Sequence, residues 1–71
     1  MANNVIVNML KLTNIEDDTV YVNVNLITHI IPVEYEYAYQ SDVYLLGCKK
    51  PLNIKETALD IMSVIDRKEN A

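Results

Sequence analysis

Residues that build disulfides, metal centres and phosphate loops are scarce in this 71-residue chain. Cys48 is the single cysteine, so no disulfide forms within one chain, and together with the single histidine, His29, it does not make a zinc-ligand set. The single glycine, Gly47, excludes a glycine-rich phosphate loop. We therefore expect no metal, no cofactor and no catalytic activity.

Basic residues are also in the minority, with 6 Lys and Arg against 10 Asp and Glu and a net charge of −4. An acidic field repels phosphate backbones, which argues against nucleic acid as a partner. Lys49, Lys50 and Lys55 are the candidates for a local basic patch. The alternative is that they keep a turn and an edge strand soluble.

Long apolar runs are missing as well, because no stretch approaches the roughly 20 residues of a membrane span. The opening MANNVIVNML has neither a basic segment nor a continuous apolar core, so it does not resemble a signal peptide. With a lone cysteine, these features predict a cytoplasmic protein that does not enter a membrane.

What the chain does have is apolar side chains, 51% of its residues. Residues 1–71 are predicted to form one domain, and a chain of this size buries only about 60% of the surface that its unfolded form exposes. Disulfides and metals are excluded as additional supports, so association of identical chains remains. The composition therefore predicts a homo-oligomer.

The apolar pattern predicts a mainly β, α+β fold: five strands followed by one C-terminal helix. Hairpin-length connections make the strands antiparallel, in a small barrel-like or twisted sheet. Residues 1–4 are expected to fray. The predicted strands span residues 5–13, 19–23, 26–33, 42–46 and 51–55, and the helix spans residues 57–68.

The helix prediction rests on a cap and an apolar stripe. Thr57 followed by Asp60 imitates a capping box. Apolar residues then recur at helical spacing and predict one buried face, formed by Ala58, Ile61, Met62 and Ile65 and widened by Leu59 and Val64.

An alternation of tyrosine with acidic residues in the segment EYEYAYQS is the least ordinary feature. If the backbone is extended, Tyr35, Tyr37 and Tyr39 share one face, and Glu34 and Glu36 line the other. Tyrosines are enriched at protein interfaces and also stack on nucleobases. The segment is therefore interpreted as an interaction surface, as an edge strand packed on the sheet, or as a stacking site for a nucleotide.

Three further places in the chain carry residue types that can take part in chemistry. His29 lacks a nucleophile and an orienting acid nearby in sequence, which favours a structural histidine over a catalytic base. Cys48 precedes two lysines, and nearby positive charge can make a thiol reactive, but no redox or nucleophile motif surrounds it, so a passive surface thiol is expected. The acidic run at residues 16–18 lacks the calcium-loop pattern, so a solvated hairpin tip is expected.

Four segments form a recognisable pattern of strands and a helix cap: Leu10–Thr13 (LKLT), Val20–Asn23 (VYVN), Asn25–Ile30 (NLITHI) and Pro51–Thr57 (PLNIKET). They resemble the FlbD/SwrD family of small flagellar and swarming-motility proteins, whose sequences show an IKLT strand, a strand like FYLN, a PDLIE unit and a VKES lead into the final helix. The resemblance covers Leu10–Ile30 and Val43–Ile65, and EYEYAYQS looks like an insertion. It implies a non-enzymatic accessory protein.

We therefore expect a small interaction protein that acts by protein–protein binding and self-association, through Tyr35, Tyr37, Tyr39, Glu34 and Glu36. The alternative is an inhibitor encoded by a phage or mobile element, which masks a basic host surface or sequesters a small nucleotide.

Overall fold

The computed structural model describes residues 8–34 and 38–69, in which five strands precede one α-helix. All strand pairs are antiparallel. The predicted mainly β, α+β fold with one C-terminal helix is confirmed. The elements are β1 (Met9–Thr13), β2 (Thr19–Asn23), a 3-10 turn (Val24–Leu26), β3 (Ile27–Pro32), β4 (Ser41–Leu45), β5 (Leu52–Ile54) and α1 (Ala58–Glu69).

The described strands form two open sheets and not a closed barrel. β1 and β2 make a two-stranded sheet, and β3, β4 and β5 make a three-stranded sheet in that order. Between the sheets, β1 and β5 approach closely enough for one antiparallel bridge, Asn14↔Ile54. Of the predicted first strand, residues 5–7 lie outside the described residues, as do the residues 1–4 that were expected to fray.

Two turns place a residue in the left-handed region of the backbone. Gly47 has φ 84° in the turn after β4, a conformation that glycine adopts without steric cost. The β1–β2 turn has no glycine and uses Asp17 at φ 67°, a conformation that Asp tolerates better than most residues. Asn14 supports this turn, because its Oδ1 accepts the backbone N–H groups of Glu16 and Asp18, both at 2.9 Å.

One core is shared by both sheets and the helix. Side chains alternate between core and solvent on β1, where Leu10 and Leu12 are buried and Lys11 is exposed, and on β2, where Val22 is buried and Tyr21 is exposed. The buried apolar residues are Leu10, Leu12, Val22, Val43, Ile54, Ile61 and Ile65.

The helix begins one residue later than predicted, because Thr57 caps it from outside: its Oγ1 accepts the N–H of Asp60 at 3.0 Å. The predicted stripe is correct for Ile61 and Ile65, which are buried, and wrong for Leu59 and Met62, which are exposed. The small sheets cover only a narrow strip of the helix surface. No helix in the described part of the chain is long and apolar enough to cross a membrane.

A group of polar contacts, here called the junction, links the two-stranded sheet to the segment between β5 and α1. The Glu56 carboxylate accepts the Thr13 N–H at 2.8 Å and the Thr13 hydroxyl at 3.0 Å. The Lys55 N–H donates to the Thr13 carbonyl at 2.8 Å. Ser41, which is fully buried, donates its hydroxyl to the Glu56 carbonyl at 2.8 Å. The junction thus holds the end of β1 against the start of the helix.

Replacing Glu56 by Ala should lower the free energy of unfolding by about 2 kcal/mol, because two partly buried bonds to a carboxylate are lost. Urea unfolding followed by circular dichroism measures the change. Glu16→Ala is the matched control, since it removes an exposed carboxylate from the β1–β2 turn. Equal stability of the Glu56 and Glu16 variants would contradict the importance of the junction.

Candidate functional site

The segment EYEYAYQS, here called the tyrosine segment, belongs to the connection between β3 and β4. In this connection the Val33 N–H donates to the Gln40 carbonyl at 2.9 Å. Of its predicted contact residues, Tyr35, Glu36 and Tyr37 fall outside the described residues. Glu34 is exposed and Tyr39 is half-buried. The expectation that the three rings share a face therefore stays a prediction.

His29 is part of an aromatic pair. A bulge between Ile27 and His29 sets the register of β3 so that His29 lies opposite Tyr44 on β4. The two rings stack at a centroid distance of 4.2 Å with an interplanar angle of 13°. The Thr28 hydroxyl lies 3.0 Å from His29 Nδ1 and donates to the Tyr44 carbonyl at 3.2 Å. These contacts hold the His29 ring against Tyr44 on an exposed strand.

The three-stranded sheet turns one side towards the core and the other towards solvent. Residues directly opposite each other in antiparallel strands share a face. The pairs Ile30↔Val43 and Ser41↔Ile54 include fully buried residues and so face the core. The alternating pairs face away. We call this side the outer face; it comprises Leu26, His29, Ile31, Asp42, Tyr44 and Leu46.

Apolar and aromatic side chains dominate the outer face. Leu26 and Leu46 are neighbours, since the Leu46 N–H donates to the Leu26 carbonyl at 2.7 Å, and their exposed fractions are 43% and 68%. Ile31 is 45% exposed. At the far end Asp42 accepts the Asn53 Nδ2–H at 2.8 Å. This side of the sheet is thus an apolar surface with a polar end.

A second apolar surface is the open groove between α1 and β3. It has a volume of about 270 Å³, and its walls come from the strand, from the turn before it and from the helix. Met62, on the helix side, is half exposed. The lining residues are Val24, Ile27, Thr28, His29, Ile30, Met62 and Ile65.

The three lysines that were candidates for a basic patch lie in two different places. Lys55 pairs with Asp17, whose Oδ1 lies 2.6 Å from the lysine Nζ. Lys49 and Lys50 are exposed in the turn after β4, next to the exposed thiol of Cys48. Lys55 therefore neutralises part of the acidic β1–β2 turn.

No group of three or more His, Cys, Asp or Glu side chains with metal-binding geometry occurs among residues 8–34 and 38–69.

Sequence reasoning missed the outer face, although a signal for it exists. Residues 26–33, LITHIIPV, contain no charged side chain. A strand with one solvated side normally alternates apolar with polar residues, so this run places apolar side chains on both sides of the sheet.

Stacking on Tyr44 should shift the ring protons of His29 upfield of their random-coil positions in proton NMR, because the tyrosine ring current shields them. Tyr44→Leu should abolish the shift. Tyr21→Leu is the matched control, since Tyr21 is an exposed tyrosine on the other sheet. Random-coil positions in the unsubstituted protein would contradict the stacked geometry.

Comparison of the chain with protein-family models, with curated proteins and with solved structures gives no match.

Proposed function

We propose that this chain is a non-enzymatic accessory protein of the cytoplasm that acts by protein–protein binding and by self-association. The observation that carries the proposal is the outer face, where exposed Leu26, Ile31 and Leu46 surround the His29–Tyr44 stack. Large contiguous apolar patches on a protein surface mark interaction sites. Tyrosine is also enriched in the centres of such sites.

A divergent relationship to the FlbD/SwrD family belongs to the same proposal. It is supported by the positions of the resembling segments in the fold. LKLT and VYVN form the paired strands β1 and β2, and PLNIKET runs through β5 to the helix cap at Thr57. The family pattern consists of strands and a cap and includes no catalytic residue, which agrees with an accessory role.

The tyrosine segment is proposed as a contact surface of the same protein. Its support is the alternation of Tyr35, Tyr37 and Tyr39 with acidic residues, together with its place in the β3–β4 connection. Connections on a rigid scaffold are common positions for binding residues.

Self-association predicts that the solution mass, measured by light scattering, rises with protein concentration from that of one chain towards a multiple of it. Replacing Tyr35, Tyr37 and Tyr39 together by Ser should move this transition to higher concentration, because interface rings are lost. An unchanged far-UV circular dichroism spectrum serves as the folding control.

If the triple variant associates like the unsubstituted chain and captures the same partners, the tyrosine segment is not a contact surface. If the unsubstituted chain keeps the mass of one chain throughout, the self-association part of the proposal fails.

A second candidate function is an inhibitor, of phage or mobile-element origin, that covers a basic host surface. The observation that favours it is the net charge of −4 together with the exposed carboxylates of Glu16, Asp18 and Asp60. Binding to a basic partner should then weaken at least about tenfold on going to about 0.5 M salt, because exposed charges are screened. Binding that is insensitive to salt would contradict this function.

A further inference from the structure

We propose that the outer face is the self-association surface. It binds the outer face of a second copy, sheet against sheet, and the strands of the two copies run in opposite directions. This inference rests on the proposed self-association. It adds the surface, the symmetry and the residues that make the contact.

The ends of the outer face carry opposite charges. At one end Leu26 and Leu46 are followed by the exposed Lys49 and Lys50 of the β4–β5 turn. At the other end Asp42 lies near the start of β4, and the exposed Glu34 follows β3. Because β3 and β4 are antiparallel, the end of β4 and the start of β3 coincide. The face therefore has a basic end and an acidic end.

This charge distribution selects one arrangement of two copies. A two-fold axis in the plane of the interface and perpendicular to the strands brings the basic end of each copy to the acidic end of the other. A two-fold axis along the strands would bring like charges together at both ends. A net charge of −4 makes two copies repel each other at long range in either arrangement. Only the first arrangement offsets this repulsion by pairing opposite charges at both ends, so it is the favourable one.

The centre of the face suits the centre of an interface. The two-fold axis would pass near the His29–Tyr44 stack, where the rings of both copies meet. Interface hot spots are aromatic, central and surrounded by residues that exclude water. Ile31 and the Leu26–Leu46 pair lie on either side of the stack along the strands and would supply that surround.

Leu46→Ser tests the surface directly, since Leu46 is 68% exposed and its loss removes no core packing. Sedimentation equilibrium should show a dissociation constant at least about tenfold weaker. The matched control is Leu59→Ser: Leu59 is 77% exposed but lies on α1, away from the outer face, and the variant should associate like the unsubstituted chain.

A charge exchange tests the direction. Lys49→Glu with Lys50→Glu makes both ends acidic, and Glu34→Lys with Asp42→Lys makes both ends basic, so each variant alone should associate at least about tenfold more weakly. Mixed in equal amounts, the two variants should form a heterodimer as tight as the original homodimer. Glu16→Lys, on the β1–β2 turn, is the charge control.

The single thiol supplies an independent distance. A spin label on the exposed Cys48, next to Lys49 at the basic end, reports where the two copies place that end. If the strands of the two copies run in opposite directions, the two labels lie on the order of 25 Å apart, from the rise of about 3.3 Å per strand residue. If the strands run in the same direction, the labels lie about 10 Å apart, the spacing of two packed sheets.

The outcomes separate the inference from the proposed function. A chain that stays monomeric overturns self-association and the inference with it. A dimer that is not weakened by Leu46→Ser or by either charge exchange overturns the inference alone. The dimer contact would then lie at the groove beside α1 or at the tyrosine segment. A dimer that is weakened by Leu46→Ser but has adjacent Cys48 labels overturns the proposed direction.

Discussion

The bidentate grip of Glu56 on Thr13 is the contact on which the architecture depends. The two residues are 43 positions apart, and their bonds tie the hairpin of β1 and β2 to the segment that starts α1. The core that this tie closes contains Leu10, Leu12 and Val22 from the two-stranded sheet, Val43 and Ile54 from the three-stranded sheet, and Ile61 and Ile65 from the helix. Ser41 strengthens the same place by satisfying the Glu56 carbonyl inside the core.

A second constraint is the small number of strands that enclose the core. A sheet of two strands and a sheet of three enclose one small core, and the three-stranded sheet keeps apolar side chains on its outer side as well. Burial within one chain cannot use those residues. Ile31, Leu26 and Leu46 lie outside the core cluster and stay exposed, and for this reason they support the proposal that this face binds another molecule.

Charge would give the proposed contact surface its selectivity. An apolar face alone would accept many partners, whereas a face with lysines at one end and carboxylates at the other distinguishes orientations. The acidic surplus of the chain lies elsewhere, on the β1–β2 turn and on α1, where carboxylates are exposed. Lys55 offsets part of that surplus through its pair with Asp17.

The sequence by itself determined the local elements: the five strands, the left-handed Gly47 turn and the Thr57 cap depend on residues only a few positions apart. Residues 19–23 were predicted as a strand and form β2 with the same bounds. Tertiary structure alone decided that the sheets stay open, that Leu59 and Met62 face solvent, and that Leu46 joins Leu26 on an exposed surface. Those outcomes depend on pairings such as Thr13 with Glu56, between residues far apart in the chain, which no local pattern encodes.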